Sequence, residues 1–461
     1  MRTLKIHGKQ LPVPSFFQVM NYGGGFQDKT REVVYADLTE DVPLLLNYFY
    51  INNDFKYAFH SPYFNRIGQY ATVGDMFNDI RMKMIAKDRN ILFSYPRVKY
   101  DFHKRVILLD SGASNIVKLL AREVDYQVEP FCERLWEVMV RYYDFADRYK
   151  FDLVVGFDLG GKYTFKDGET LDRGLIGFYN SIDKDKINLM LLKKTVEYLQ
   201  SKENYYPGVL ATVHGQTPEE YEKYIEKILE TEREKEYRFW GFALGGVASS
   251  KGMDPSWYAG IDFSGTNKRN MKGAVTPARA AQIVHRAAGD RPIHALGCGG
   301  FMNIPMNYYF GATSFDAASP ARRVGDGNDL SVRNLYSTEK VNGAKFSKIL
   351  MGGYNTRLEK MKGEFDYREI CDVDDGCELC GCAACRYIGS VPALKKLYAE
   401  KAEDPEAHYL ARQIMNAHSI HAHRLFCRVV AQYETMEEYA AARPDKLSRE
   451  LKRIYDQLAD R

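Results

Sequence analysis

Six short apolar runs, each closing on an acid, a histidine or a glycine, constrain this chain more than any other feature. They are RVILLDSG (105–112), FDLVVGFDLGG (151–161), GVLATVHG (208–215), FWGFALGGVA (239–248), PIHALGCGG (292–300) and ATSFDAAS (312–319). Runs so short and so rich in Val, Leu, Ile and Phe predict strands buried on both faces. Stretches of helical periodicity separate most of them, over 128–149 and roughly 184–201 for example. Thr217-Pro218-Glu219-Glu220 predicts a helix start, with Thr as N-cap, Pro at the first helical position and Glu closing a capping box. Thr276-Pro277 predicts a second start of the same kind. Strands alternating with helices imply a parallel sheet with crossover connections.

An open sheet and a closed barrel both satisfy that alternation. The strand ends favour closure. Asp110, Asp158, His214, the Gly245–Gly246 pair, Gly297 and Asp316 stand in order at the C-terminal ends of successive runs. One acid at a strand end is commonly only the cap of the next helix. Six polar or glycine-bearing ends in series predict an α/β fold of the (β/α)8 type, whose strand ends converge on one mouth. The organisation expected is N-terminal strands and loops over 1–90 that close the barrel, a catalytic barrel over 91–370, a metal-binding subdomain over 371–425 and C-terminal helices over 426–461. The pattern of residues 1–60, rich in Tyr and Phe with Gly23–Gly25, fixes no individual strand there.

Composition narrows the class. The chain has 461 residues, enough for a large barrel, and its 45% hydrophobic content is ordinary for a globular protein. It has no run of about 18 apolar residues, so no membrane span is expected. The opening MRTLKIHGKQLPVPSFF has no apolar core of the signal-peptide kind, and the expectation is a cytoplasmic protein. A net charge of +3 neither demands nor excludes a nucleic-acid partner. Local basic clusters, Lys268–Arg269 and Arg322–Arg323, are candidate phosphate contacts, although such clusters are equally compatible with a solvated surface.

Five of the eight cysteines fall within Cys371–Cys385. In a large intracellular chain such a cluster reads as a metal site rather than a disulfide framework. Cys380, Cys382 and Cys385 form a C-x-C-x-x-C pattern that can turn around one ion, and zinc with four protein ligands is structural. His418 is the first choice for the fourth ligand. His421, one helical turn on, and Cys377 are the alternatives, and an iron–sulfur cluster is a further use of such thiols.

Taken together, these motifs resemble the tRNA-guanine transglycosylase superfamily over roughly residues 90–425. Five segments carry the resemblance. They are Asp110-Ser111-Gly112-Ala113, Phe157-Asp158-Leu159, Gly245-Gly246-Val247-Ala248, Phe315-Asp316 followed by Pro320 and Arg322, and the Cys380, Cys382, Cys385 and His418 set. The resemblance implies a pentosyltransferase that exchanges guanine in a nucleic acid for a 7-deazaguanine base. It implies Asp316 as nucleophile, Asp110 as general acid/base and Asp158 as the reader of the base edge. His214, Gly215, Gly245, Gly246, Leu296 and Gly297 would line the base pocket, and structural Zn2+ would be held by Cys380, Cys382, Cys385 and His418. Residue chemistry agrees: breaking an N-glycosidic bond develops oxocarbenium character that one carboxylate can trap while a second moves the proton.

Three departures bear on the polymer. Ser114 stands where the family has an aromatic that stacks on the base, Leu159 replaces a Glu, and Gly325 stands where bacterial tRNA enzymes place a second Arg. Leu11–Phe17, His214-Gly215 and His294–Gly297 are more similar to the 7-deazaguanine DNA transglycosylase branch. The expected partner is therefore DNA, with 7-cyano-7-deazaguanine as incoming base and a homodimer or partner subunit as the assembly. A tRNA-guanine transglycosylase of atypical recognition is the alternative. A non-catalytic nucleic-acid-binding subunit on the same barrel is another, against which Asp110, Asp158 and Asp316 all stand.

Overall fold

Alternation along each strand explains how the chain closes. In strand β5 (Ile107–Asp110), Ile107 and Leu109 pack outward while Leu108 and Asp110 share the opposite face. The same division runs through β6 (Leu153–Val155), β9 (Gly208–Val213) and β10 (Gly241–Leu244), whereas β7 (Lys166–Asp167) and β8 (Thr170–Leu171) pair as a separate antiparallel ribbon. It continues in β11 (Ile293–Ala295) and β12 (Ser314–Ala317). The outer set, including Val154, Val209, Val213, Phe242, Ile293 and Phe315, meets a helical layer carrying Leu135, Tyr142, Leu191 and Ile228. The inner set, including Phe17, Leu45, Leu108, Leu153, Val155, Leu210 and Ala243, fills the lumen. Each Val, Leu, Ile or Phe among them contributes about 1.5–3 kcal/mol when fully buried.

This is a computed structural model, which describes residues 2–20, 42–52, 64–79, 101–160, 166–167, 170–248, 253–266, 268–317, 330–331, 350–351, 383–400, 417, 420–443 and 446–460. Two strands from the N-terminal region complete the sheet, β3 (Ser15–Met20) and β4 (Leu44–Asn47). The eight form a closed barrel in the order β10-β11-β12-β3-β4-β5-β6-β9, and every pairing around it is parallel. All six apolar runs read from the sequence are barrel strands. The lumen is floored by an antiparallel hairpin of β1 (Thr3–Ile6) and β2 (Lys9–Pro12), whose Ile6 and Leu11 join the inner core. Lys9 reaches past the floor to Asp152 at 2.7 Å and to the Arg105 carbonyl at 2.8 Å.

The helices Ala113–Glu123, Val128–Arg148, Lys184–Gln200, Pro218–Glu234, Lys268–Ala288 and Asn303–Tyr309 make most of the outer layer. Thr217 caps its helix as expected, accepting from Glu220 N, while the Glu220 carboxylate reaches back to Gln216 N at 2.6 Å. The expectation of a helix start at Thr276-Pro277 is corrected: one helix runs through Pro277 from Lys268 to Ala288. Pro277 offers no N–H to the preceding turn. Burial of Met271, Ala274 and Val275 ahead of it, and a bond from Thr276 Oγ1 to the Tyr258 hydroxyl at 3.0 Å, outweigh that loss. At the C-terminal end, the helices Met436–Ala442 and Lys446–Ala459 pack through Met436, Tyr439, Leu451, Ile454 and Leu458. Among the described residues, no helix is long and apolar enough to cross a membrane.

Candidate active site at the barrel mouth

Period-two alternation puts Asn47 of β4, Asp110 of β5, His294 of β11 and Asp316 of β12 on the lumen side of their strands. Asp110 is the last residue of β5 and Asp316 the next to last of β12, so both lie in the layer that faces the mouth. Asp158 and His214 follow β6 and β9 and reach the same rim from the loops.

Asp316 is buried and firmly held. Its Oδ1 accepts from Gly297 N at 2.8 Å and lies 3.2 Å from His294 Nε2. Its main-chain carbonyl accepts from Gly299 N at 2.8 Å. Gly297 has φ +68°, and a Cβ there would stand 2.9 Å from the Ala248 Cβ, so only glycine offers this N–H without strain. His294 is fully buried, packs edge-on to Phe17 at 5.2 Å, and places Nδ1 2.8 Å from Ser314 Oγ.

Asp110 accepts from Asn47 Nδ2 at 2.8 Å, across the register pair that joins β4 to β5. The Asn47 amide cannot turn over, because its Oδ1 accepts from Phe49 N at 3.1 Å. Burial, and next the negative field of Asp316, push the Asp110 carboxyl up to about 6. Hydrogen bonds from Gly112 and Ser111 N–H oppose the rise, as does His294. Asp158 is pushed higher, to about 7, by burial first and by Asp110 second. Two carboxyl groups that hold protons near neutrality beside a third are suited to proton transfer and to reading hydrogen-bond donors.

Gly245 borders Asp158: a Cβ on it would stand 3.4 Å from Asp158 Oδ2 and 2.8 Å from Thr212 Cγ2. A side chain there would collide with Thr212, so the backbone packs bare beside the carboxylate. Gly246 follows, exposed, and Tyr221 supports the pair by donating to the Gly245 carbonyl at 3.3 Å. His214 is buried against Tyr224, ring centroids 4.1 Å apart, and burial pulls its imidazole down to about 4. Gly215 follows it, partly buried, and Leu296 is partly buried on the inner core.

The structure thus gathers Asp110, Asp158, His214, Gly215, Gly245, Gly246, Leu296, Gly297 and Asp316 at the strand ends on one side of the barrel. Arg322, Arg323, Cys380, Cys382 and His418 lie outside the described residues. Lys268 and Arg269 open the helix Lys268–Ala288, and Cys385 stands in the helix Ala383–Ile388; their side chains are not among those described. Among the described residues, no three His, Cys, Asp or Glu side chains are grouped so as to hold a metal ion.

Asn47, Asn188 and Ser314 belong to the site as supports that the motifs did not single out, and His294, noted only within the segment His294–Gly297, was given no role there. Asn47 had a signal, a polar residue ending the apolar run Val42–Leu46. Asn188 had none, since it sits at an ordinary position of the helix Lys184–Gln200. Comparison with protein-family models finds no match to this chain, and comparison with curated proteins finds no relative.

Proposed function

We propose that the protein is a base-exchange transglycosylase, which replaces guanine in DNA with a 7-deazaguanine base through a covalent aspartyl-glycosyl intermediate. The observation that carries the reading is the pairing of an anchored carboxylate, Asp316, with a neighbouring carboxyl, Asp110, that burial and Asp316 hold near 6. Asp316 attacks the anomeric carbon as the bond to guanine breaks, and Asp110 gives the departing base its proton. The incoming base then loses a proton to Asp110 and attacks the glycosyl ester, which returns Asp316 to its carboxylate. Asp158, beside the bare backbone of Gly245, accepts from the donor edge of a guanine-like base, with His214, Gly215, Gly246, Leu296 and Gly297 around it. In a duplex the target nucleotide leaves the stack to reach this mouth.

Arg322, Arg323, Lys268 and Arg269 are proposed as phosphate contacts, and DNA is preferred on the substitutions Ser114 and Gly325. A structural zinc ion belongs to the same reading. The donor set Cys380, Cys382, Cys385 and His418 suits it by residue type and spacing, and Cys385 stands in the helix Ala383–Ile388. Such an ion supplies local rigidity and takes no part in the exchange. The test is nucleoside mass spectrometry of DNA and of tRNA from cells that make 7-cyano-7-deazaguanine, with and without this protein. Deazaguanine is expected in DNA only when the protein is present. Deazaguanine in tRNA alone would replace this reading with the tRNA enzyme, and none in either polymer would remove the activity.

A further inference from the structure

Beneath the mouth, one buried imidazole joins two lumen-facing side chains of the next strand. His294 Nε2 lies 3.2 Å from Asp316 Oδ1, and His294 Nδ1 lies 2.8 Å from Ser314 Oγ. Ser314 and Asp316 are two residues apart on β12, so they share its inner face, and His294 faces them from β11 through the register pair His294–Ser314. All three are buried. A carboxylate offers only acceptors, so Nε2 carries the hydrogen in this contact. Gly297 N–H donates to the same Oδ1. Both donors therefore meet at one oxygen, and no other described contact engages Oδ2.

We infer that His294 is a positioning residue that makes the two oxygens of Asp316 unequal, reserving Oδ2 for attack and holding Oδ1 through the whole exchange. This rests on the transglycosylase reading above. In the first half-reaction the Oδ2–carbon bond forms and the glycosidic bond breaks, its electron pair leaving with the base. Oδ1 becomes the ester carbonyl oxygen, still facing two N–H donors. In the second half-reaction the incoming base nitrogen bonds to the sugar carbon and gives its proton to Asp110. The Oδ2–carbon bond breaks, and charge returns to a carboxylate already held by His294 and Gly297. Donors fixed where charge reappears need no reorganisation during the step. Ser314 completes the arrangement by fixing the ring plane through Nδ1, as outer partners do for other functional histidines.

The test compares His294→Leu, which keeps the volume and loses the donor, with His294→Gln, which keeps a donor. Single-turnover formation of the glycosyl adduct is measured by intact-protein mass spectrometry, alongside binding of the free base and thermal stability. His294→Leu is expected to slow adduct formation about 100-fold with base affinity unchanged. His294→Gln is expected to recover most of that loss. Equal slowing in both variants at equal stability would overturn the donor role, as would an unimpaired His294→Leu. The pairing has its own readout in 15N-histidine spectra, where an exchange-protected imidazole N–H is expected in the wild type and lost in Asp316→Ala. Absence of that resonance in the wild type overturns the inference even if exchange is fast. A wild type that shows the resonance but forms no adduct with DNA or tRNA overturns the reaction instead, and with it any role for His294 in attack.

Discussion

Asn188 Nδ2 meets His214 Nε2 at 2.7 Å, and the main chain of Leu159 dictates which proton each carries. Leu159 N donates to Asn188 Oδ1 at 2.7 Å, and the Leu159 carbonyl accepts from Asn188 Nδ2 at 3.0 Å. The amide is therefore fixed with its NH2 toward the imidazole. Nε2 of His214 must be an acceptor, and the ring is neutral with its hydrogen on Nδ1. The same amide ties the loop after β6, which carries Asp158, to the end of β9.

A neutral buried histidine has a consequence for acid stability. Burial lowers His214 to about 4 from an ordinary 6.5. Between those values the unfolded chain takes up a proton that the native state refuses, so stability is full above about 6.5 and is lost as the pH falls toward 4. The loss amounts to about 3 kcal/mol at the acid end. His214→Gln removes the titration, and its stability measured against wild type between pH 4.5 and 7 is expected to have a shallower acid slope. Parallel slopes would contradict the lowered value.

Asp158 acts with the opposite sign. Its native carboxyl holds a proton up to about 7, whereas the unfolded one releases it near 3.8. Stability therefore falls as the pH rises through that window. Asp158→Asn is expected to melt higher than wild type at pH 8, by on the order of 2 kcal/mol, and equally at pH 4. Affinity for a free guanine-like base is expected to rise as the pH crosses 7, because the ionised carboxylate accepts from both edge donors. A flat pH profile of binding would count against Asp158 as the reader.

Asp316 is the residue the proposed reaction cannot lose. Asp316→Ala is expected to abolish exchange and adduct formation while the barrel still folds, judged by circular dichroism and melting. A covalent adduct in that variant would sink the nucleophile assignment.

At the other end of the barrel, Asp152 is fully buried and takes hydrogen bonds from Lys9 Nζ at 2.7 Å and Ile107 N at 2.8 Å. Burial raises its carboxyl despite Lys9. Lys9→Met leaves that charge without its partner and is expected to cost about 3 kcal/mol. Lys9→Met with Asp152→Asn should recover much of it. A single variant as stable as wild type in urea would show that the pair contributes nothing.

The zinc proposal predicts about one ion per chain by elemental analysis. Cys382→Ser should lose the ion and lower the melting temperature, with the rate per folded molecule little changed. A stable, full-length, metal-free protein would remove the metal from the reading.

The barrel was legible in six of its eight strands because each apolar run ended on a residue a strand does not ordinarily need. β3 and β4 escaped for opposite reasons. Ser15–Met20 carries Gln18 among apolar residues without regular alternation, and Leu44–Leu46 runs directly into the aromatic turn Tyr48–Ile51. The acids of the site were legible as strand ends, but their supports were not. Asn188 gains its role only from where Leu159 and His214 stand in space, and His294 only from the register that sets it beside Ser314 and Asp316. Pro277 misled because a proline is read locally, while the buried turn before it is a tertiary fact.

The β1–β2 hairpin closes the far end of a lumen already packed with side chains. Ile6 and Leu11 stopper that end and Lys9 is pinned to Asp152, so nothing small passes through the barrel along its axis. In the proposed exchange, the departing and incoming bases would therefore both have to use the strand-end face, one after the other, while the sugar stays on the protein.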